Sequence, residues 1–434
     1  MKKLTNLRKA EARTGVLMVL PAVVIILAIS LYPIFQTFIY SMFDYRINNP
    51  EKSSLSFSTT LDLNRLANAE FYVGRTMSVI SDQKTPANQE KIEKVEKEIK
   101  QLNTTIFSVK GLNSQYATVK KYFDNMQPLP DKSIQYITID PSTANSISNQ
   151  VVTIENQLKG FEKTTNDSYS QAAQVVDSIQ QSINYPNFIG LRNYSTLFQE
   201  PRLGKAVLNT VMFTIITVFV ELVLGLLIAQ IVNFPFRFKG GLRAVMLVPW
   251  AIPTVVSALM WKFMFDGQTG IFSNLLAALG LVKDPGLILG TPGGSSMAII
   301  VADIWKTTPY MALLILAGLQ QISGELYESA QIDGASAIQR FFKITLPLIK
   351  PTVLVALLFR SLDAFRVFDL IYVMTGGGPG NSTESLSAYS YKVLFSQMNF
   401  GQGSAIAIIT FICVAVISGA YVKMLGTDLT GKAE

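Results

Sequence analysis

Apolar residues gather along this chain in six runs, at about 16–40, 206–232, 243–265, 297–319, 349–374 and 404–425. Each run is about 20–25 residues, enough for a helix to cross a hydrocarbon core of roughly 30 Å. They predict six membrane spans. Between the first two, from about 45 to 200, the pattern changes completely and the composition turns to Asn, Gln, Ser, Thr and Lys. Polarity alone would suit disorder, but the apolar positions there keep a period. Ile92, Val95, Ile99, Leu102, Ile106, Val109, Leu112, Tyr116, Val119, Phe123 and Met126 recur at alternating steps of three and four, which is a heptad seam. A second seam runs through Ile147, Val151, Ile154, Leu158 and Phe161, weakens at Thr165, and resumes at Ala172, Val175, Ile179 and Ile183.

Each seam covers about 40 residues, or roughly 60 Å of helix. Pro128, Pro130 and Pro141 forbid a continuous helix between them, so the pair predicts an antiparallel coiled-coil hairpin. Thr85-Pro86 suggests an N-cap followed by Pro at the first helical position. A weaker seam at Leu63, Leu66, Val73, Met77 and Ile80 suggests a third helix. The expected fold class is an all-α polytopic membrane protein. Its expected parts are 1–44 (tail and first span), 45–200 (helical insertion) and 201–434 (five-helix core).

Composition agrees. Hydrophobic residues make up 49% and charged residues 15% of the chain, an apolar excess that a soluble average does not show. There is no His, which removes His-based metal sites and any Ser-His-Asp triad; no catalytic or metal site is expected. The single Cys413 lies in an apolar run, so no intrachain disulfide can form. The net charge of +7 sits in loops near the membrane rather than in a patch with interleaved aromatics, which speaks against a nucleic-acid partner.

The same basic residues set an orientation. Lys2, Lys3, Arg8, Lys9 and Arg13 precede the first run, which is too long for a signal-peptide core and has no small-residue cleavage site after Tyr40. It reads as a retained span. Arg237, Lys239, Arg243, Arg340, Lys343, Lys350 and Lys423 fall in loops or a tail on one side; the short loops on the other side carry little beyond Lys283 and Lys392. By the positive-inside rule both termini are cytoplasmic and the insertion is outside.

Charges also lie inside the spans. Arg360, Asp363, Arg366 and Asp369 punctuate the fifth, and Glu221 stands in the second. A charge near the bilayer centre costs roughly 2.5–3.5 kcal/mol on insertion scales. Alternating signs at steps of three suggest pairing along one helix as Arg360–Asp363 and Arg366–Asp369, with Glu221 available to either arginine. Such a network suits helix registration and a water-filled path alike. The fourth span carries Asp303, Trp305, Lys306, Thr307, Thr308, Pro309 and Tyr310. A ring beside hydroxyls and a carboxylate suits a sugar, whose C–H face stacks and whose hydroxyls need partners. Interfacial anchoring is the plainer role for Trp305 and Tyr310.

Between spans four and five lies Glu325-Leu-Tyr-Glu328-Ser-Ala330-Gln-Ile-Asp333-Gly334-Ala335, then Arg340-Phe341-Phe-Lys343-Ile-Thr-Leu-Pro347. It reads as a short amphipathic helix, a turn at Gly334, and a second helical turn stopped by Pro347. On those properties alone it need only join two spans. The motif itself closely resembles the EAA loop of binding-protein-dependent ABC importer permeases. Asp303-Ile-Trp305-Lys-Thr-Thr-Pro309-Tyr310 before it and Phe368-Asp369-x-Ile371-Tyr372-x-x-Thr375-Gly-Gly-Gly378-Pro379 after it resemble the carbohydrate-importer branch, which includes the larger maltose-permease subunit.

The resemblance covers about 200–425 and implies the six-helix type I importer permease fold in a bacterial cytoplasmic membrane. It implies an ATPase-coupling role for Glu325, Glu328, Ala330, Asp333, Gly334, Ala335, Arg340, Phe341 and Pro347. It places Asp303, Lys306, Thr307, Tyr310, Arg360, Asp363, Ala364 and Val367 at or next to the sugar path, with Trp305 and Arg366 beside them. It implies an ABC ATPase dimer holding ATP and Mg²⁺, a second permease, a solute-binding protein and a carbohydrate solute, with no cofactor in this chain. The insertion would then be a docking arm or a spacer, in a form unlike the family's external domain.

Two rivals are weaker. A secondary carrier predicts inverted repeats and interrupted helices in both halves, and a sensor predicts a cytoplasmic output domain; neither pattern is in the sequence. Gly426-Thr-Asp-Leu-Thr-Gly431-Lys432-Ala433 nearly spells a phosphate loop, but Ala433 replaces the Mg²⁺-binding hydroxyl and no strand precedes it.

Overall fold

A computed structural model describes residues 2–49, 52–82, 84–86, 88–161, 168–234 and 237–429. The chain divides into two compact units. One comprises residues 39–193 with 398–401; the other comprises 1–38, 194–397 and 402–434.

The chain starts with α1 (Lys2–Ile26) and α2 (Tyr32–Ser41), joined by a π turn at Leu27–Leu31, so that Arg13–Ser41 is apolar and long enough to cross a membrane. The insertion unit follows: β1 (Thr60–Asp62), α3 (Leu63–Asp82), α4 (Gln89–Phe107), α5 (Leu112–Asp124), β2 (Tyr136–Thr138), α6 (Pro141–Lys159), α7 (Ser168–Gln180) and β3 (Ile183–Asn184). The seam positions are where the core is. Ile92, Val95, Leu102, Ile106, Leu112, Tyr116 and Val119 are buried, as are Ile147, Val151, Ile154, Leu158, Ala172 and Ile179. The α3 seam joins them through Leu66, Val73 and Ile80.

The long hairpin does not form. Gly111 takes φ +83 and ends the first segment's helix after Phe107, giving two helices in place of one. The second segment divides likewise between Lys159 and Ser168; Thr165 lies outside the described residues. Five shorter helices therefore pack around one core, with α6 against α7 and α4, and α3 against α7 and α5. A small antiparallel sheet in the order β2-β1-β3, pairing Leu61 with Ile137 and Ile183, pins the ends. The first helix of the hairpin starts at Gln89, not at Thr85-Pro86; Asn88 Oδ1 accepts from the Thr85 backbone N–H at 2.7 Å. Met126 is fully exposed, and Val176 lies in the core with Val175 packed half-buried against it.

The second unit continues with α8 (Arg192–Gln199), α9 (Pro201–Asn233), α10 (Lys239–Ala251), α11 (Thr254–Met264), α12 (Ile271–Ala278), α13 (Leu287–Gly290), α14 (Pro292–Leu319), α15 (Gly324–Ile332), α16 (Ala337–Arg340), α17 (Leu346–Phe365), α18 (Asp369–Thr375), α19 (Leu386–Tyr391) and α20 (Phe400–Leu429). Five helical stretches in the chain are long and apolar enough to cross a membrane among the described residues, or six if the bent pair α10–α11 counts as one.

Two of the expected spans have a different shape. The run at 243–265 bends by 86° where Ile252 and Pro253 leave helical geometry. The run at 349–374 breaks after Phe365, and Arg366–Phe368 leads into the separate α18, so Arg366 and Asp369 do not share a helix with Arg360. Pro347 stops nothing: 337–365 is one apolar helical stretch. A π turn at Phe341–Thr345 widens the helix just before Pro347, Leu346 N bonding back to Phe341 O, and the ring sits in the first turn of α17 where its missing N–H costs little. The near-phosphate-loop tail is helical as far as Leu429, and 430–434 lie outside the described residues.

Helices α9, α14 and α17 pack on one another and form the centre of this unit. Apolar transfer gives little in a lipid solvent, so close van der Waals approach matters more. Gly225 and Gly318 provide it. A Cβ on Gly225 would meet Met311 Cγ at 2.8 Å, and one on Gly318 would meet Thr352 at 2.8 Å.

Truncating Leu102 to Ala in the insertion core should cost about 2–5 kcal/mol. Pulse proteolysis of the detergent-solubilised chain should show cleavage within 63–180 at lower denaturant; an unchanged midpoint would contradict the packing described.

Candidate functional site

Helix α14 starts on an N-capping Thr291, whose hydroxyl accepts from Gly294 N, with Pro292 next. Asp303, Lys306 and Thr307 follow at helical spacing and all three are buried. They face Glu221 of α9 and Arg360 of α17, which are 0% and 1% exposed. The Arg360 guanidinium donates from Nε to Glu221 Oε2 at 2.5 Å and from Nη2 to Glu221 Oε1 at 3.0 Å. Nη2 also donates to Asp303 Oδ2, and Nη1 reaches Asp363 Oδ2 at 3.3 Å. Thr307 Oγ1 lies 2.6 Å from Glu221 Oε1 and 2.6 Å from the Asp303 carbonyl, and its one proton serves one of them at a time. One arginine thus joins three helices through a planar fork that lysine could not reproduce.

Of the pairings expected along the helix, Arg360–Asp363 is present and Arg366–Asp369 is not: Arg366 Nε donates to the Leu362 carbonyl at 3.1 Å. The break after Phe365 turns Arg366 and Asp369 onto a cavity instead. That cavity has a volume of about 320 Å³, at the lower end of small-molecule sites. Trp250 and Thr254 from the α10–α11 bend line it, with Asp303, Lys306 and Thr307 of α14, Arg360, Asp363 and Ala364 of α17, Arg366, Val367 and Phe368 of the break, and Asp369 and Leu370 of α18. Three carboxylates (Asp303, Asp363, Asp369) face three cations (Lys306, Arg360, Arg366), a formally neutral lining. Lys306 Nζ also donates to the Trp250 carbonyl at 3.4 Å. The lining offers an indole ring and many hydrogen-bond donors and acceptors.

Trp305 and Tyr310 do not line this cavity. Trp305 packs edge-on against Trp261 at 5.6 Å, away from it. Tyr310 stacks on Trp250 at 5.4 Å and 10°, so it backs the ring that does. Trp250 and Thr254 carry no mark of their own in the sequence because an apolar run conceals the bend; the Pro253 beside them was the available signal.

The 320–347 loop lies at the far end of α14 and α17. Ser323 caps α15, Gly334 turns the chain at φ +78, and Ser336 with Gln339 forms a capping box for α16. Glu325, Glu328, Asp333, Gly334 and Pro347 are exposed, while Ala330, Ala335, Arg340 and Phe341 are half-buried. Leu326, Ile332, Ile338 and Phe342 are also exposed, an apolar surface left uncovered by the described residues. Two bonds brace the loop: Tyr327 OH to Thr345 Oγ1 at 2.9 Å, and Arg340 Nη1 to Gln331 Oε1 at 3.4 Å.

A second polar cluster had no signal in the sequence. The Glu384 side chain, 1% exposed, accepts from Arg202 Nε at 2.8 Å and Nη2 at 2.9 Å and from Lys392 Nζ at 2.7 Å. Burial raises its carboxyl pKa, but the bonds from Arg202 and Lys392 outweigh that and hold it below the ordinary value. Tyr389 extends the cluster to Glu200 at 2.7 Å. Lys392 is therefore no simple loop charge.

A bundle of apolar helices around one buried arginine network, with a polar cavity beside it and an exposed loop at one end, defines a membrane transport component. The family described as binding-protein-dependent transport system inner membrane component matches residues 221–429, leaving the insertion outside the match. The trehalose/maltose transport system permease protein MalF of Thermococcus litoralis is 46% identical over 237 residues, 55% of this chain and 79% of that protein. The sulfoquinovosyl glycerol transport system permease protein SmoG of Agrobacterium fabrum is 41% identical, covering 55% and 77%. A crystal structure of a bacterial ABC transporter involved in the import of the acidic polysaccharide alginate includes a chain 26% identical, with a TM-score of 0.50 over 55% of this chain and 83% of that one. The chain belongs to this family of ABC importer permeases, and is a transporter subunit rather than an enzyme.

Both charge networks can be tested. Arg360→Met leaves Glu221 and Asp303 uncompensated and should destabilise the solubilised protein by about 3–5 kcal/mol; adding Glu221→Gln should recover part of it. Additive losses in that double-mutant cycle would count against the fork. For Glu384 the lowered pKa makes its stabilisation full above the ordinary carboxylate range, about pH 4.3, and lost as pH falls through the lower folded value. The thermal midpoints of wild type and Glu384→Gln should stand apart at pH 7 and converge in acid; a constant gap would contradict this.

Proposed function

We propose that this chain is the pore-forming half of an importer for a neutral or zwitterionic carbohydrate, and that the 320–347 loop couples it to a separate ATPase. The observation that carries the proposal is the continuous stretch 337–365, which has the exposed loop at one end and Arg360 and Asp363 on the cavity at the other. At 1.5 Å per residue that lever is about 40 Å long. Relatives named for trehalose/maltose and sulfoquinovosyl glycerol transport support a sugar or glycoside solute.

In this reading the bent pair α10–α11 is the third of six spans, both termini are cytoplasmic and the insertion stands outside. An ATPase dimer holding ATP and Mg²⁺ seats the loop through Glu325, Glu328, Ala330, Asp333, Gly334, Ala335, Arg340 and Phe341. Its exposed apolar surface gives that partner something to bury. ATP-driven closure moves α17, and the cavity residues Asp303, Lys306, Thr307, Arg360, Asp363, Ala364, Arg366 and Val367 re-pack to open on the other side. A second permease completes the pore. A soluble binding protein delivers the solute; the alginate transporter has been crystallised with a periplasmic protein that holds an alginate pentasaccharide, which supports this role.

The glycine at 334 and the brace at Tyr327 make the proposal testable. Gly334→Pro cannot keep φ +78, and co-purification with the ATPase should be lost; retained binding and uptake would refute the coupling role. Thr345→Val removes the brace without disturbing the loop's exposed face. In proteoliposomes holding the whole transporter, solute moved per ATP hydrolysed should fall several-fold while basal ATPase persists. An unchanged ratio would show that the brace transmits nothing.

A further inference from the structure

Immediately beyond Ser41, where the apolar stretch Arg13–Ser41 ends, the insertion unit builds a collar from 42–49, 52–57 and 187–193. Backbone bonds lock it: Asp44 N to Asn187 O at 2.8 Å, Ile189 N to Met42 O at 2.9 Å, and Asn187 N to Ser56 O at 3.0 Å. Asn193 Nδ2 clamps the Ser41 and Phe43 carbonyls at 2.8 and 3.0 Å. Phe43 is buried at 1% exposure, and its ring lies 5.0 Å from Phe57 and 5.3 Å from Phe188. Those two outer rings sit 5.2 Å apart and are 73% and 45% exposed. Ile47 and Leu191, in the same stretches, are exposed as well.

A soluble surface does not ordinarily leave such a patch bare. Phe43 follows Ser41 by two residues, at most about 7 Å of chain, so the exposed rings cannot be far from the end of the span. The stretch Arg13–Ser41 has 29 residues, roughly 43 Å of helix, and outreaches a hydrocarbon core of about 30 Å. That excess is enough to bring its last turn, and the collar hydrogen-bonded to it, to headgroup depth. Arg46 and Lys52 share the Asp44 carboxylate, at 2.7 and 2.6 Å, which puts two cations on one acid among the described residues here.

We propose that this collar is a lipid-contact surface, with Phe57 and Phe188 seated in the headgroup layer of the leaflet at the Ser41 end and the Arg46–Asp44–Lys52 group toward lipid phosphate. Aromatic rings favour that depth, and two of them on a hydrogen-bonded collar would fix the tilt of the insertion unit against the bilayer. The occupant is phospholipid, not a protein partner. The inference rests on Arg13–Ser41 being a span.

Site-directed spin labelling of the assembled transporter tests it, in phosphatidylethanolamine–phosphatidylglycerol vesicles and a Cys413→Ser background. Labels at Phe57→Cys, Phe188→Cys and Ile47→Cys should collide with oxygen in preference to a water-soluble nickel chelate, at interfacial depth. Met126→Cys should read as aqueous, with several-fold higher nickel accessibility, and Val24→Cys as bilayer interior. If Val24→Cys is not in lipid, the span and the collar fall together. If Val24→Cys is in lipid while positions 47, 57 and 188 are as nickel-accessible as 126, the collar alone is refuted. Low collision with both reagents and an immobile line shape at 57 and 188 would mean a protein covers them, and would also overturn the proposal.

Discussion

The Arg360 guanidinium sets the constraint that the rest of the permease unit satisfies. A cation brought this deep needs several carboxylate or carbonyl partners, and they must come from different helices because one helix cannot surround it. Glu221 supplies α9, Asp303 supplies α14, and Asp363 closes the set from α17 itself. Meeting those distances fixes the rotation of three spans about their axes. Gly225 and Gly318 then fix how near they come, since a methyl at either would collide with Met311 or Thr352. Charge chooses the register and small residues choose the spacing.

With the three spans registered, the cavity is made by the places where helices break. The Pro253 bend turns Trp250 and Thr254 inward, and the non-helical step Arg366–Phe368 brings the start of α18 across the open end of α17. Backbone that has left helical geometry is tolerated at membrane depth where it borders protein or water rather than lipid, so breaks and polar space belong together. The neutral count of charges around that space follows from the same constraint. Asp303, Lys306, Arg360, Asp363 and Arg366 each already have a partner.

Periodicity was enough to place the apolar spans and most of the insertion core, because burial follows the 3.6-residue face wherever a helix exists at all. It could not say where helices end. Ser108–Gly111 interrupts a seam that is unbroken in hydrophobicity, and only the left-handed conformation of Gly111 reveals the division. Pro347 misled in the opposite sense: a proline in a first turn starts a helix as readily as one in the interior stops it, and the π turn at 341–345 decides which applies. The charges of span five were legible as a set, but their partners were not, since Glu221 and Arg360 are 139 residues apart. Glu384 left no trace for the same reason; its ligand Arg202 is 182 residues away.

Coupling of loop to cavity requires that 337–365 move as one rigid body, so that what happens at the exposed end arrives at Arg360. Pulsed electron resonance distances in the reconstituted transporter address this, with labels at the exposed positions Ile338 and Phe359 on that stretch and Val256 on α11. Between nucleotide-free and ATP-bound states, the 338–359 distance should stay fixed while the 359–256 distance changes. A changing 338–359 distance beside a constant 359–256 distance would mean that the helix bends at its π turn and absorbs the motion, and the lever would have to be abandoned.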